Sequence, residues 1–138
     1  MFFVFRSQLI LLVTNLTQKR INSVFLQRVF EAAKKILGKK IEEVSLVLAG
    51  DDKIKEINKK YRRKNETTDV LSFEELNEIF ISLPQAKKQA QERKIGLNCE
   101  LTRLFVHGIV HLAGFDHEKS KTEAKKMEEI ENKIISKI

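Results

Sequence analysis

The sequence predicts an α+β or α/β sandwich, a sheet of about four strands covered by about five helices. Three observations lead there. Short apolar runs alternate with longer stretches whose apolar residues recur at helical spacing. One proline and five glycines in 138 residues argue against a many-stranded, turn-rich β architecture. Glu74 to Asn77 is short enough to join the runs on either side of it as a hairpin.

Each element follows from local residues. Leu9–Val13 reads as a buried strand, preceded by an eight-residue extension. Asn22 or Ser23 caps a helix with Phe25, Val29, Ala32 and Ile36 on one stripe, and Gly38 ends it. Val44–Leu48 is a second strand. Asp51 and Asp52 offer a cap and a negative first turn to a helix carrying Ile54, Ile57 and Tyr61, with Tyr61 expected to pack. A polar connection leads to the strand Thr68–Phe73 and, after the turn, to Glu78–Ser82. Pro84 suits the first turn of the next helix, with Ser82 as cap and an end near Gly96. Asn98 caps an apolar helix from about Cys99 to Ala113, which Gly114 terminates. A charged amphipathic helix from about Lys121 to Ile138 turns Met127, Ile130 and Ile134 inward.

The length suits one domain over residues 1–138, and 42% apolar residues suffice for an ordinary core. MFFVFRSQLILLV is apolar, but Arg6 and Gln8 interrupt it and no small-residue cleavage site follows. It is also too short to span a bilayer, so no membrane association is expected. Cys99 is the single cysteine, which excludes an intramolecular disulfide and a cysteine-rich metal knuckle. It is expected to half-fill a helix start rather than act as a nucleophile. The cytoplasm is the default location.

Charge is uneven. The net charge is +7, yet residues 1–64 hold 15 basic and 6 acidic side chains while residues 65–138 hold 11 and 13. The positive half suits a polyanion, whose counterions are released on docking, or forms a solvated lysine-rich surface. Lys59, Lys60, Arg62, Arg63 and Lys64 concentrate five cations in six residues. The run reads either as an RNA-backbone track or as cations complementing a helix C-terminus.

All three histidines fall inside HGIVHLAGFDH, residues 107–117. His107 and His111 are four apart on the predicted helix, so both rings project from one face. Gly114 permits the left-handed turn that brings His117 back toward them. Three imidazoles with an open fourth position are the arrangement of catalytic zinc, although copper and nickel also accept imidazole. The spacing matches the metzincin frame, but the general-base glutamate of those proteases is replaced by Gly108. Asp116 either orients a ligand imidazole or caps the following turn. Thr68, Asp69 and Ser72 are candidates to line the cleft, unless Asp69 serves only to close the turn before its strand. Bound zinc can lower the pKa of a water to roughly 7 or polarise a phosphoryl oxygen. Arg62, whose planar fork grips phosphate at two points, is the matching clamp.

These residues resemble the YbeY family, bacterial endoribonucleases implicated in rRNA maturation and ribosome quality control. HGIVHLAGFDH departs from the family form HGxLHLxGYDH only at Val110 and Phe115. YRRKNETTDVLSF, residues 61–73, is similar to (Y/F)RxKxxxT(D/N)VLSF, and EIFIS, residues 78–82, to (D/E)I(V/Y)IS. The likeness runs from about Leu9 to the C-terminus. Two features depart from it: the short turn carries Asn77 where the family has glycine, and residues 1–8 have no counterpart. The resemblance implies an α+β fold with a mixed four-stranded sheet and one zinc on His107, His111 and His117. It also implies metal-dependent cleavage of single-stranded RNA and ribosomal particles as partners, with a ribosomal or GTPase protein where one is needed. Arg62 corresponds to the family's arginine beside the metal; Arg62 and His107 are the catalytic expectations. Two other readings are a peptidase-like metal-dependent hydrolase and a non-catalytic rRNA-binding assembly factor with structural zinc.

Overall fold

The computed structural model describes residues 10–138. Four strands form one mixed sheet: β1 (Ile10–Asn15), β2 (Glu43–Ala49), β3 (Val70–Phe73) and β4 (Glu78–Ser82). Their order is β1-β2-β4-β3. β1 and β4 both lie parallel to β2, while β3 runs antiparallel to β4 as the expected hairpin. Five helices complete the α+β fold: α1 (Val24–Leu37), α2 (Asp51–Arg62), α3 (Leu83–Arg93), α4 (Leu97–Leu112) and α5 (Lys121–Ile135). Among the described residues, no helix is long and apolar enough to cross a membrane.

Strand alternation assigns the sheet two apolar faces. Leu11, Val44, Leu46, Leu48, Ile79 and Ile81 enter the main core with Phe30 of α1, Leu104, Phe105 and Ile109 of α4, and Met127 and Ile134 of α5. On the opposite face Ala49 and Leu71 pack with Ile54 and Ile57 of α2, and Phe73 and Phe80 lie against them. α2 therefore covers only part of that second face.

Several local expectations shift. The first strand is an edge strand rather than a buried one; Leu11 is covered, but Ile10 and Leu12 are 47% and 61% exposed. Leu9 and the extension before it lie outside the described residues. The buried stripe of α1 keeps Val29 and Ala32 and adds Leu26, Phe30, Ala33 and Leu37, with Phe25 and Ile36 at its margin. Asn22 Oδ1 accepts from the Val24 amide there, at 3.1 Å. Gly96 and not Asn98 precedes α4, and α3 ends at Arg93 because Lys94 adopts the left-handed conformation. Ser82 caps α3 as expected, accepting from Gln85 N at 3.2 Å. Asp51 does not cap its helix. Its Oδ1 accepts from Ser82 Oγ at 2.7 Å and Thr67 Oγ1 at 3.0 Å, tying the start of α2 to β4 and to the segment before β3.

Of the five glycines, Gly108 alone is closely approached by neighbouring atoms. A Cβ built there would stand 2.9 Å from Ile79 Cγ2 and 3.1 Å from Ser72 Oγ. Because glycine leaves that space empty, α4 settles against the β3–β4 hairpin, and Ser72 Oγ donates to the Gly108 carbonyl at 3.3 Å. Overpacking such a contact costs about 1–3 kcal/mol. Greater helix propensity returns at most about 1 kcal/mol. Gly108→Ala is thus expected to lower stability by about 1 kcal/mol, read as a lower urea midpoint at unchanged slope. An unaltered or higher midpoint would show that Ile79 and Ser72 yield without cost.

Candidate metal centre

The three histidines converge. One nitrogen from each of His107, His111 and His117 lies within 4.8 Å of the others, and ring centroids stand 4.9–5.4 Å apart. Ligands of a tetrahedral zinc at 2.0–2.1 Å are about 3.4 Å from one another, so small ring rotations bring these nitrogens to one ion. Local backbone chemistry accounts for the convergence. Gly114 has φ +99°, its amide donates to the His111 carbonyl at 2.9 Å, and the Phe115 amide donates to the Val110 carbonyl at 3.3 Å. That pair of bonds is the Schellman closure of a helix. Phe115 packs against the main core, and the chain returns with His117 beside the first two rings.

The donor set fits a transition metal. Among the described residues no fourth histidine, cysteine or carboxylate joins the group, and His117 is exposed toward the cleft. Burial, then the neighbouring imidazoles of His107 and His117, push the His111 pKa below the usual histidine range. His111 is therefore held in its neutral form at neutral pH. His107 Nδ1 lies 2.9 Å from Glu131 Oε2 on α5. An ionised carboxylate only accepts, so the Nδ1 proton points at Glu131 and Nε2 keeps its lone pair for the shared point.

Glu131 is absent from the sequence-based expectations. A signal existed: Glu131 follows Met127 by one helical turn, which sets a carboxylate beside the inward stripe of an otherwise amphipathic helix. What it faces is decided only by the packing of α5 on α4.

The histidines open into a cleft of about 630 Å³ at the free edge of β3, between the C-terminus of α2 and α4. Arg62 and Lys64 line it. Lys59, Lys60 and Arg63 do not, so the basic run is divided between surfaces. Arg62 closes α2, Arg63 turns away with φ +58°, and an Arg62 guanidinium nitrogen donates to the Ser72 carbonyl at 3.0 Å. Thr68, Asp69 and Ser72 line the cleft as anticipated. Asp69 also closes the turn before β3, accepting from the Val70 amide at 2.8 Å, and its second oxygen accepts from Gln89 at 3.2 Å. Behind it, Arg103 bonds the fully buried Glu100 at 2.8 and 2.9 Å. Asp116 accepts from the Glu118 amide at 2.9 Å, which is the turn-capping alternative. Tyr61 does not pack away; it is 54% exposed. Cys99 is exposed in the first turn of α4, away from the lining of the cleft.

A family model described as Endoribonuclease YbeY matches residues 12–138. A relative named Endoribonuclease YbeY from Aquifex aeolicus is 40% identical over 135 residues, covering 91% of this chain and 90% of its own. Another of that name, from Sulfurihydrogenibium sp., is 39% identical over 139 residues, covering 94% and 91%. A solution structure of a Thermotoga maritima protein superposes with a TM-score of 0.60 at 27% identity, over 91% of this chain and 89% of that one.

Two outcomes follow from the geometry. Glu131→Gln should weaken metal binding about 10- to 100-fold, measured by competition with a chromogenic chelator; unchanged affinity would remove Glu131 from the site. The metal-free protein should be most stable above the ordinary histidine pKa of 6.5, with stability lost as pH falls from there toward the depressed native value of His111. Urea midpoints across that window check this, and His111→Asn should flatten the dependence.

Proposed function

Because the chain belongs to the YbeY endoribonuclease family, we propose that it is a hydrolase cutting single-stranded RNA, one domain over residues 1–138. The convergence of three imidazoles beside Arg62 in one cleft is the observation that carries this reading. His107, His111 and His117 are the ligands we assign to a single zinc, for which neutral imidazoles and an open side suit a catalytic rather than structural ion. When bound, the ion supplies Lewis acidity at the scissile phosphate.

The chain's own groups do the rest. Arg62 holds the phosphodiester and stabilises charge developing on its oxygens. Its bond to the Ser72 carbonyl and its place over the Phe73 ring, 5.6 Å from the centroid, preorganise the guanidinium before substrate arrives. His107, steered by Glu131, counts as catalytic through the nitrogen it presents to the metal. Lys64 extends the cationic rim on the cleft side, while Lys59, Lys60 and Arg63 would meet more distant phosphates.

The family points to rRNA and ribosomal particles in the cytoplasm as the setting, with maturation and quality control of rRNA as the role. Gly108 weighs against a peptidase, because the residue that serves as general base in metzincins has neither a carboxylate nor room for one here.

Metal-loaded protein should cleave single-stranded RNA, lose activity to a chelator and regain it with zinc. Arg62→Ala should reduce kcat by about 100-fold, the scale for removing one preorganised donor at a developing anion. His111→Ala should abolish stoichiometric zinc in elemental analysis. Equal zinc in both proteins would remove the metal assignment, and tight salt-sensitive RNA binding without cleavage would replace the nuclease with an assembly factor.

A further inference from the structure

A second groove, of about 190 Å³, lies on the other side of β3 from the histidines. It runs between α2, from Lys53 to Tyr61, and the β3–β4 hairpin, on the sheet face that α2 leaves partly open. Three aromatic rings floor it, Tyr61 tilted against Phe73 and Phe73 edge-to-face with Phe80. Tyr61 and Phe73 are 5.4 Å apart between centroids, and Phe73 and Phe80 are 5.9 Å apart. At its open end Tyr61 and Leu76 are each 54% exposed. Both side chains line this one groove.

Cations accompany the rings. Lys60 Nζ lies 5.3 Å from the Tyr61 centroid, and Arg62 lies over Phe73. Arg62 lines the metal cleft while its guanidinium lies over Phe73, a ring of the groove, and Ser72 and Phe73 are neighbours pointing to opposite sides of the same strand. Glu56 and Glu78 stand on the rim too, and Lys53 is within 3.7 Å of Glu56. The charge that faces Tyr61 itself is positive.

We infer that this groove is the seat of one unpaired nucleobase of the RNA substrate, stacked on Tyr61 next to the phosphate that Arg62 holds. The inference rests on the endoribonuclease reading and adds a subsite to it. Aromatic faces bind any base by its π-surface, with a cation beside the ring taking the adjoining phosphate. A strand leaving the metal cleft past Arg62 meets Tyr61 next, and a base paired in a duplex could not turn its face onto that ring. The groove thus supplies a physical basis for selecting unpaired RNA.

Tyr61 is the single tyrosine in a chain without tryptophan, so its emission reports on the groove directly. Titrating the protein stripped of metal by a chelator, which binds RNA without cutting it, with an oligouridylate should quench that emission by at least half. Tyr61→Ala should raise KM for single-stranded RNA by about tenfold, a loss in proportion to one base–aromatic stack, with the larger part of the defect in KM. Tyr61→Phe should restore KM to within about twofold, since stacking needs the ring and not the hydroxyl. Undiminished emission at oligonucleotide concentrations that inhibit cleavage, or a wild-type KM for Tyr61→Ala, would overturn the subsite. Quenching without any cleavage by the wild type would keep the stacking site and remove the nuclease reading. Neither quenching nor cleavage would remove both.

Discussion

Helix α4 and the β3–β4 hairpin meet at a glycine, and the metal centre depends on how closely they do so. With no side chain at residue 108, the helix backbone sits against Ile79 and takes a hydrogen bond from Ser72. His107 and His111, on either side of that contact, are thereby held beside the free edge of β3, where Arg62 is tied to the Ser72 carbonyl. Ser72 thus touches both halves of the site, the helix through its hydroxyl and the arginine through its carbonyl. A side chain at 108 would part these elements and separate the Arg62 guanidinium from the imidazoles.

The same residue accounts for what the site lacks. In a metzincin frame the position after the first histidine carries the carboxylate that accepts a proton from water. Here it is spent on close packing, and three of the carboxylates nearby have other partners, while Glu66, Glu74 and Glu118 also line the cleft. Glu131 orients His107, Asp69 holds the turn before β3, and Asp116 caps the turn before Glu118. The cleft thus combines the histidine cluster and the Arg62 guanidinium with the carboxylates of Glu66, Glu74 and Glu118. A guanidinium fork matches an anionic phosphodiester better than a neutral peptide.

The charge distribution gains meaning from the fold. The basic run 59–64 is contiguous in sequence but divides at the end of α2, where Arg63 takes a left-handed turn. Arg62 and Lys64 face the metal cleft, and Lys60 faces the aromatic groove. A polyanion wrapped around the β3 edge meets positive charge on both sides of the strand.

What the sequence determined by itself was local. The spacing of His107 and His111, the glycine that turns the chain back to His117, the hairpin and the Ser82 cap are relations among residues a few positions apart. Helix periodicity and turn chemistry govern those directly. The family motifs added Arg62, whose role no spacing specifies. Tertiary structure alone decided the rest. It set Glu131 against His107, made β1 an edge strand, turned Asp51 from a cap into a cross-link, and left Tyr61 exposed over Phe73. Each of these joins elements far apart in the chain, and which surfaces meet is settled by burial of the whole core rather than by any one segment's preference.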